Sequence, residues 1–309
     1  MVDVKKCKKA IQLIGKIKKY KTVPNSVIAG GTHGTVLICK EYKTQRKVAL
    51  KKIESTEAEK TGIQVHALRE IGAYKSIQLH PNILQMFDVI SQDTETFIVL
   101  EFMEESLKRY MKRIDLTNKQ LLSFKKQLSN GLAYCHSMGF MHRDIKPDNI
   151  LIKNDILKIC DFGLAKMYSR NPNQSHTLEV VTLWYKSLEL LLGNSYYDEK
   201  IDIWSLGCVF AEMDMSRKKE NFYLFPGHCE IDMIFMILTK FGKPNETTMQ
   251  VISLYEWYNK DIFDMNISKY TELSGTIYEK IFTYNISKRS SAAEILMLLH
   301  TDLPNIFPD

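Results

Sequence analysis

The sequence predicts an α+β fold with a smaller, strand-rich N-terminal part and a larger, mostly helical C-terminal part. A strand–turn–strand pattern begins at Val27, a third strand begins at Val48, and two short apolar runs cover residues 87–90 and 96–100. Helical periodicity then dominates from residues 116–139 onward. At 309 residues and 45% hydrophobic content, the chain can bury the core of one large domain or of two lobes.

The composition argues against several classes of protein. The net charge of +6 is modest, and no recognition motif accompanies it, so nucleic acid is not expected as the main ligand. No apolar run reaches the length of a membrane span, and the lysine-rich N-terminus lacks a secretion-signal pattern. We therefore expect a protein of the nucleus and/or cytoplasm, without a membrane partner. Scattered cysteines without metal-ligand spacing are typical of reduced intracellular thiols. They are Cys7, Cys39, Cys135, Cys160, Cys208 and Cys229.

Residues 1–21 are predicted to be a basic N-terminal extension, because they carry eight lysines. Apolar residues at positions 11, 13, 14 and 17 have a spacing compatible with one face of a helix. Two interpretations stay open. The segment is either a solvated basic helix or frayed tail, or a nuclear-import or partner-docking segment.

The most specific motif covers His142–Asn149 and continues, after a short apolar strand pair, in Asp161–Gly163. Phosphoryl transfer needs a carboxylate that receives a hydroxyl proton, a cation near the transferred group, and oxygen ligands for magnesium. The motif supplies all of these groups at the spacing typical of that chemistry. The carboxylate, the cation and the two metal ligands are, in that order, Asp144, Lys146, Asn149 and Asp161.

This combination of motifs resembles the eukaryotic protein kinases, and Lys146 resembles the lysine of the serine/threonine class. The resemblance implies a bilobal protein kinase fold that uses ATP and Mg2+ to phosphorylate protein substrates. It also implies three regions: the basic extension over 1–21, a mostly β N-lobe with one regulatory helix and the hinge over 22–103, and a mostly helical C-lobe over 104–309.

The segment from Ile28 to Val36 resembles the glycine-rich loop of kinases. Glycines let backbone N–H groups approach phosphates without an intervening side chain. Ala29 replaces the first glycine of the family pattern. The residues expected to bind the nucleotide here are Ile28, Gly31, Gly34 and Val36. Lys51 follows on the predicted third strand, where kinases place the lysine that contacts the phosphates.

Helical periodicity over residues 63–74 places Glu70 on a helix within reach of the third strand. At this helix the resemblance narrows to the cyclin-dependent kinase family, in which the helix is the main cyclin contact. It implies a Lys51–Glu70 ion pair that forms when the helix rotates inward, and a cyclin or cyclin-like activator. The first half of the family's helix motif is replaced here by Gln64–His66.

Two apolar strands lead to Glu101–Met103, which we interpret as the hinge. An adenine ring needs backbone donors and acceptors, here expected from Glu101 and Met103, together with apolar cover. By alignment, the residues that provide this cover are Ile28, Val36, Ala49, Leu100, Leu151 and Cys160.

A polar run after Asp161–Gly163 resembles the kinase activation loop. Thr177 aligns with the threonine that an activating kinase phosphorylates in this family, and Ser175 lies close by. The residues expected to gather the phosphate are Arg69, Arg143 and Lys166. Thr32, in the glycine-rich loop, is a candidate inhibitory phosphosite. It is followed by His33 where the family often has a tyrosine.

Three further contacts are implied by the resemblance. Thr182 is expected to hydrogen-bond near Asp144. Glu189 is expected to pair with Arg289. Asp202, at the start of a buried helix, is expected to fasten the backbone of the catalytic loop.

Together these features predict an ATP-dependent serine/threonine kinase that is proline-directed and cyclin-activated. Val180–Val181 supports a proline after the phosphorylated residue, although Lys186 replaces an arginine of the family. One alternative is a cyclin-binding pseudokinase scaffold, supported by Ala29, Lys186 and Ser187–Leu188. The other is a cyclin-independent proline-directed kinase, whose usual Thr-x-Tyr pair is missing here.

Overall fold

The computed structural model describes residues 19–31, 34–53, 65–77, 79–92, 95–168, 175–178, 180–216, 223–264 and 277–301. The chain divides into two compact units, one up to Glu104 and the other from Glu105 onward. Thr32 and residues 1–18 of the basic extension lie outside the described residues.

The first unit contains a five-stranded antiparallel sheet with the strand order β1-β2-β3-β5-β4. Its strands are β1 (Tyr20–Gly31), β2 (Gly34–Glu41), β3 (Lys47–Ile53), β4 (Met86–Gln92) and β5 (Glu95–Glu101). Helix α1 (Val65–Ser76) lies between β3 and β4 in the chain. It agrees with the helix predicted over residues 63–74, displaced by two residues at each end.

The two faces of this sheet have different roles. Val36 pairs with Lys51, and Ala49 pairs with Leu100, so these four side chains share one face. The other face carries the buried core of the unit. That core is formed by Tyr20, Leu37, Cys39, Val48, Leu50, Phe97 and Val99.

Strand β1 begins inside the segment that the sequence assigned to the basic extension. Tyr20 and Lys21 pair with Glu41 and Lys40 of β2. The reason is the Tyr20 ring, which is buried in the core, so the backbone around it continues the sheet.

The second unit is mostly helical. Its short strands are β6 (Glu105–Ser106), β7 (Phe140–Met141), β8 (Ile150–Lys153), β9 (Ile156–Ile159) and β10 (Lys166–Met167). Strands β6, β8 and β9 form one sheet, and β7 pairs with β10. Its helices are α2 (Leu107–Arg113), α3 (Asn118–Ser137), α4 (Leu188–Leu191), α5 (Lys200–Met215), α6 (Glu230–Phe241), α7 (Glu246–Ile252), α8 (Lys260–Asp264), α9 (Ile277–Ile281) and α10 (Ala292–His300).

Several helices in this unit begin at a side chain that caps their first backbone N–H groups. A reciprocal capping box of Thr117 and Gln120 begins α3, and the same arrangement of Ser291 and Glu294 begins α10. Helix α2, which the sequence analysis did not identify, begins at the N-cap Ser106. None of the helices in the described segments is both long and apolar enough to cross a membrane.

Helix α5 forms the centre of the second unit. All residues from Ile201 to Met213 are buried, so the helix has no solvent-facing stripe over this length. At Gly207, an added Cβ would lie only 2.2 Å from Ile281 Cγ2, so α9 packs directly on the helix backbone. This close packing fixes helix α5, whose first turn carries Asp202 for the candidate site.

Candidate active site

Asp144 lies at the centre of a hydrogen-bonded cluster in the second unit. The Thr182 hydroxyl donates to Asp144 Oδ1 at 2.8 Å. Lys146 Nζ lies 2.8 Å from Asp144 Oδ2, and 2.8 Å from the Thr182 hydroxyl oxygen. Asn149 Nδ2 also donates to Oδ2, at 2.7 Å. Both carboxylate oxygens are therefore held by neighbouring side chains, as expected for a group whose role depends on position.

The electrostatics of this cluster keep Asp144 ionised. Burial alone would raise the pKa of this carboxyl group, since the side chain is 4% exposed. The hydrogen bonds and positive charge of Lys146, with the hydrogen bond from Thr182, outweigh burial and lower the pKa below its ordinary value. Asp144 is therefore a carboxylate at neutral pH and can accept a hydrogen bond from a hydroxyl group.

Asn149 and Asp161 are brought together by the β8–β9 hairpin. The N–H of Cys160 donates to the Asn149 carbonyl at 2.9 Å, so Asp161 follows directly beyond this pairing. Asn149 Nδ2 donates to the Asp144 carbonyl and carboxylate, which leaves the amide oxygen as the part of this side chain that can ligate a cation. A carboxylate and an amide oxygen fit Mg2+, which prefers oxygen and retains several waters and substrate phosphates.

Asp202 fastens the catalytic loop through its backbone. Its two carboxylate oxygens accept hydrogen bonds from the N–H groups of His142 and Arg143, each at 2.8 Å. His136 Nε2 lies 3.0 Å from Asp202 Oδ2. The contact predicted for Asp202 is therefore present. It holds Arg143 at φ 65°, a left-handed conformation that needs support from its surroundings.

The first unit holds the predicted Lys51–Glu70 ion pair. Lys51 Nζ lies 2.8 Å and 2.9 Å from the two carboxylate oxygens of Glu70. Lys51 extends from the same face of the sheet as Val36 and Ala49, opposite the core. Helix α1 therefore holds Glu70 in contact with Lys51, as expected from the sequence when the regulatory helix is rotated inward.

The other predicted nucleotide-binding residues lie on several elements. Gly31 and Gly34 pair at the β1–β2 turn. Glu101 ends β5, and Met103, two residues later, is buried. Leu151 lies on β8 of the second unit. The side chain of Ile28 is outside the described part of the chain.

The candidate phosphosite Thr177 is exposed, and its backbone is anchored. The Tyr197 hydroxyl donates to the Thr177 carbonyl at 2.6 Å and accepts a hydrogen bond from Arg143 Nη1 at 3.2 Å. Arg143 Nε also donates to the Leu164 carbonyl at 2.8 Å. Arg143 is therefore connected to Thr177 through one phenol. Arg69, the other arginine predicted for this site, is exposed on α1 of the first unit.

Two residues around Thr177 were missed by the sequence analysis. Lys166 Nζ lies 2.8 Å from His176 Nδ1, and the His176 ring packs against Tyr197 with ring centroids 4.9 Å apart. The sequence signal that could have identified His176 was its position next to the aligned threonine, in Ser175-His176-Thr177. Nothing in the sequence around Tyr197 indicated its contact with a residue twenty positions away.

Val181 has φ 65°, although it is a β-branched residue for which this conformation is strained. Lys186, which replaces the arginine of the family, lies 3.4 Å from Glu230 Oε1 through its Nζ. The valine therefore holds its unusual conformation while Lys186 is paired with Glu230.

The predicted Glu189–Arg289 pair is present and fully buried. Arg289 Nη1 and Nη2 donate to the two carboxylate oxygens of Glu189 at 2.6 Å and 2.9 Å. Arg289 also donates to the carbonyls of Thr283 and Lys200. This arrangement ties the segment after Val181 to the end of the unit.

Comparison with known proteins agrees with this geometry. The family described as protein kinase domain matches residues 23–299. Cyclin-dependent kinase 2 of Caenorhabditis elegans is 38% identical over 256 residues, which cover 80% of this chain and 67% of that protein. Protein kinases of this family use ATP and Mg2+. The chain belongs to the cyclin-dependent kinase family of serine/threonine protein kinases.

Proposed function

We propose that this kinase is proline-directed, is activated by a cyclin or cyclin-like protein and by phosphorylation of Thr177, and acts in the nucleus and/or cytoplasm. The observation that carries the catalytic part of the proposal is the cluster in which Lys146, Asn149 and Thr182 hold the Asp144 carboxylate. This arrangement positions an ionised acceptor for a substrate hydroxyl.

In the proposed reaction, Asp144 accepts a hydrogen bond from the serine or threonine hydroxyl and orients it. The hydroxyl oxygen forms a bond to the γ-phosphorus of ATP while the bond to the β,γ-bridging oxygen breaks. Asp144 receives the hydroxyl proton, and ADP leaves. Lys146 balances the negative charge that develops on the transferred group.

We assign the remaining roles by the same chemistry. Lys51, fixed by Glu70, holds the phosphates of ATP. Asn149 and Asp161 would hold magnesium, which would neutralise phosphate charge.

The strained backbone of Val181 supports the proline preference. The substrate residue after the phosphorylated one faces a backbone that is unsuitable as a hydrogen-bond acceptor. Proline has no N–H, so it loses no hydrogen bond at that position. In the family, an arginine at the position of Lys186 supports the valine. Here Val181 has φ 65° with Lys186 bound to Glu230, so we expect the preference to persist.

The exposed face of α1 supports a cyclin-like partner. Leu68 is 53% exposed, and Gly72, one turn further, has no atom within 4 Å of where its Cβ would be. Residues four apart share a helix face, so an apolar side chain and an open surface lie together. Glu70, on a different side of the helix, is buried against Lys51. A partner that covers Leu68 would hold the helix where this ion pair is formed.

The direct test is phosphate transfer from Mg-ATP to a Ser-Pro peptide and to a matched Ser-Ala peptide, with and without candidate cyclins. We expect transfer only to Ser-Pro and only with a cyclin. Asp144→Asn should abolish transfer while ATP binding, measured separately, is retained. Normal turnover in that variant would refute the role of Asp144.

The alternatives are separated by the same assay. Transfer without any cyclin would indicate a cyclin-independent kinase. No transfer under any condition, with Thr177 phosphorylated and a cyclin bound, would indicate a scaffold.

Cyclin recognition has its own matched pair of variants. Leu68→Gln should weaken cyclin binding at least tenfold, because it removes an apolar anchor from the docking face. Leu79→Gln removes a leucine that is 84% exposed but lies outside α1, and should leave binding unchanged. Equal affinities of the two variants, measured by calorimetry, would refute this docking face.

A further inference from the structure

Two cations around Thr177 each donate a hydrogen bond to a neutral group before any phosphate is present. Lys166 Nζ donates to His176 Nδ1 at 2.8 Å. Arg143 donates to the Tyr197 hydroxyl, which in turn donates to the Thr177 carbonyl. The residue before the candidate phosphosite is therefore an imidazole that accepts a hydrogen bond from a lysine.

The contact with Lys166 defines the protonation state of His176. An ammonium group can only donate hydrogen bonds, so Nδ1 must accept and the ring must be neutral, with its proton on Nε2. The ring is 7% exposed, and the His176 N–H donates to the Ser195 carbonyl at 2.8 Å. The backbone on this side of the phosphosite is thus fixed.

The surroundings of His176 favour the neutral form in the unmodified chain. Among the described residues, the charged groups that act on the ring are Lys166 on β10 and Arg143 in the catalytic loop, and the titratable Tyr197 packs against it. Burial lowers the pKa of His176, and these two cations lower it further.

A phosphate on Thr177 would reverse this balance. It would place about two negative charges on the residue next to His176. It would also offer Lys166 a charged acceptor in place of the neutral imidazole, which charge-assisted hydrogen bonding favours. Both effects raise the affinity of His176 for a proton, because an anion is added and a cation is drawn away.

We propose that His176 is a proton-binding member of the phosphothreonine site: it holds Lys166 while Thr177 is unmodified and takes up a proton when Thr177 carries a phosphate. This inference rests on the proposed phosphorylation of Thr177. Because coupling between two binding events is reciprocal, the proton strengthens the hold of the site on the phosphate by the same factor. Protonation of His176 therefore strengthens the hold on the phosphorylated loop at pH 6 relative to pH 8, while the second ionisation of the phosphate, with a pKa of about 6, acts in the opposite direction.

The test uses NMR titration of the unmutated chain, prepared unmodified and with phosphothreonine genetically encoded at position 177. We expect the pKa of His176 to be higher by about one or more in the phosphoprotein, which corresponds to a coupling of about tenfold or more. The same pKa in both forms, or a lower one in the phosphoprotein, would overturn the inference.

A variant provides a readout that a merely structural histidine would not change. In His176→Asn, the amide oxygen can replace Nδ1 as the acceptor for Lys166, but the side chain cannot be protonated. In the variant, only the second ionisation of the phosphate changes over this pH range. Relative to the variant, the gain in Tm on phosphorylation should therefore fall from pH 6 to pH 8 in the unmutated chain. Parallel pH dependence in both would overturn the proposal. If the variant does not fold, the titration of the unmutated chain still decides.

Failure of this inference can be separated from failure of the proposed function. A phosphoprotein that phosphorylates Ser-Pro peptide with a cyclin, but whose His176 titrates as in the unmodified chain, overturns the inference alone. A phosphoprotein without transfer activity overturns the proposed function, and its His176 titration still decides for or against the proton site.

Discussion

Replacing Glu212 with glutamine should make the stability of this kinase less dependent on pH. Glu212 lies near the end of α5, is 1% exposed, and accepts a hydrogen bond from the Tyr185 hydroxyl at 3.0 Å. Burial raises its pKa to about 8, because the hydrogen bonds from Tyr185 and from the Leu224 N–H compensate only part of the desolvation.

The direction of the effect follows from proton linkage. The pKa in the folded chain, about 8, lies above the ordinary value of 4.5, so between these values the folded chain binds more protons than the unfolded one. The contribution to stability is complete below pH 4.5 and is lost as the pH rises toward 8. The full difference corresponds to about 5 kcal/mol, and relaxation around the ionised group should reduce it to about 2–4 kcal/mol.

Urea unfolding of the unmutated chain and of Glu212→Gln between pH 5 and pH 9 measures this contribution. Glutamine keeps an acceptor for Tyr185 but stays neutral, so the variant should gain about 2–4 kcal/mol relative to the unmutated chain across this range. Glu246→Gln, at an exposed site on α7, controls for the loss of one surface charge. A stability difference between Glu212→Gln and the unmutated chain that does not change with pH would refute the reasoning.

Three further changes test other buried or exposed positions, each by denaturant unfolding. Glu189→Gln should cost about 3–5 kcal/mol, since it leaves the Arg289 guanidinium buried without a carboxylate; a cost below about 1 kcal/mol would contradict this. Asp214→Leu should cost a similar amount because Lys125, fully buried and 2.7 Å from Asp214, loses this carboxylate. Adding Lys125→Met should recover part of the loss, since the buried Tyr278 hydroxyl also donates to Asp214 and still loses that acceptor. A double variant no more stable than the single one would be inconsistent with that explanation. Gly72→Ala should gain about 0.5–1 kcal/mol, because its Cβ would meet no atom within 4 Å and alanine is the better helix former; a loss of stability would argue against the open helix face.

The sequence could predict which residues form the cluster around Asp144, but not all of the hydrogen bonds that join them. Motif spacing identified Asp144 and Asn149, and the resemblance implied a hydrogen bond of Thr182 near Asp144. Neither indicated that Asn149 donates to the Asp144 carboxylate, or which oxygen accepts from Thr182. These bonds depend on side-chain directions that follow from the backbone path, including the left-handed residues Arg143 and Val181.

Contacts between residues far apart in the sequence could be predicted only where the family resemblance implied them. The Glu189–Arg289 pair was expected from the resemblance. The contact between Lys125 and Asp214, 89 positions apart, was not. From its chemistry, a lysine in α3 is expected to be exposed. The carboxylate brought in by α5, together with the Tyr278 hydroxyl, makes the burial of Lys125 tolerable.

Local patterns were less reliable at the ends of elements. The basic extension was predicted to reach Lys21 because lysines continue to that residue. The apolar ring of Tyr20, however, is already buried in the core of the sheet. Helix α2 was overlooked because its seven residues show little periodicity, and its start depends on a single N-cap serine.

The bond between Asp202 and the catalytic loop has a consequence for biosynthesis. His142 and Arg143 leave the ribosome some sixty residues before the carboxylate that fastens their N–H groups. A nascent chain that has reached Gly163 already contains Asp144, Asn149 and Asp161, but it lacks the Asp202 carboxylate that accepts from the N–H groups of the left-handed turn. We therefore expect catalytic competence to arise only after α5 has been synthesised and packed. Fragments that keep the motifs but lack this helix should remain dependent on chaperones and inactive.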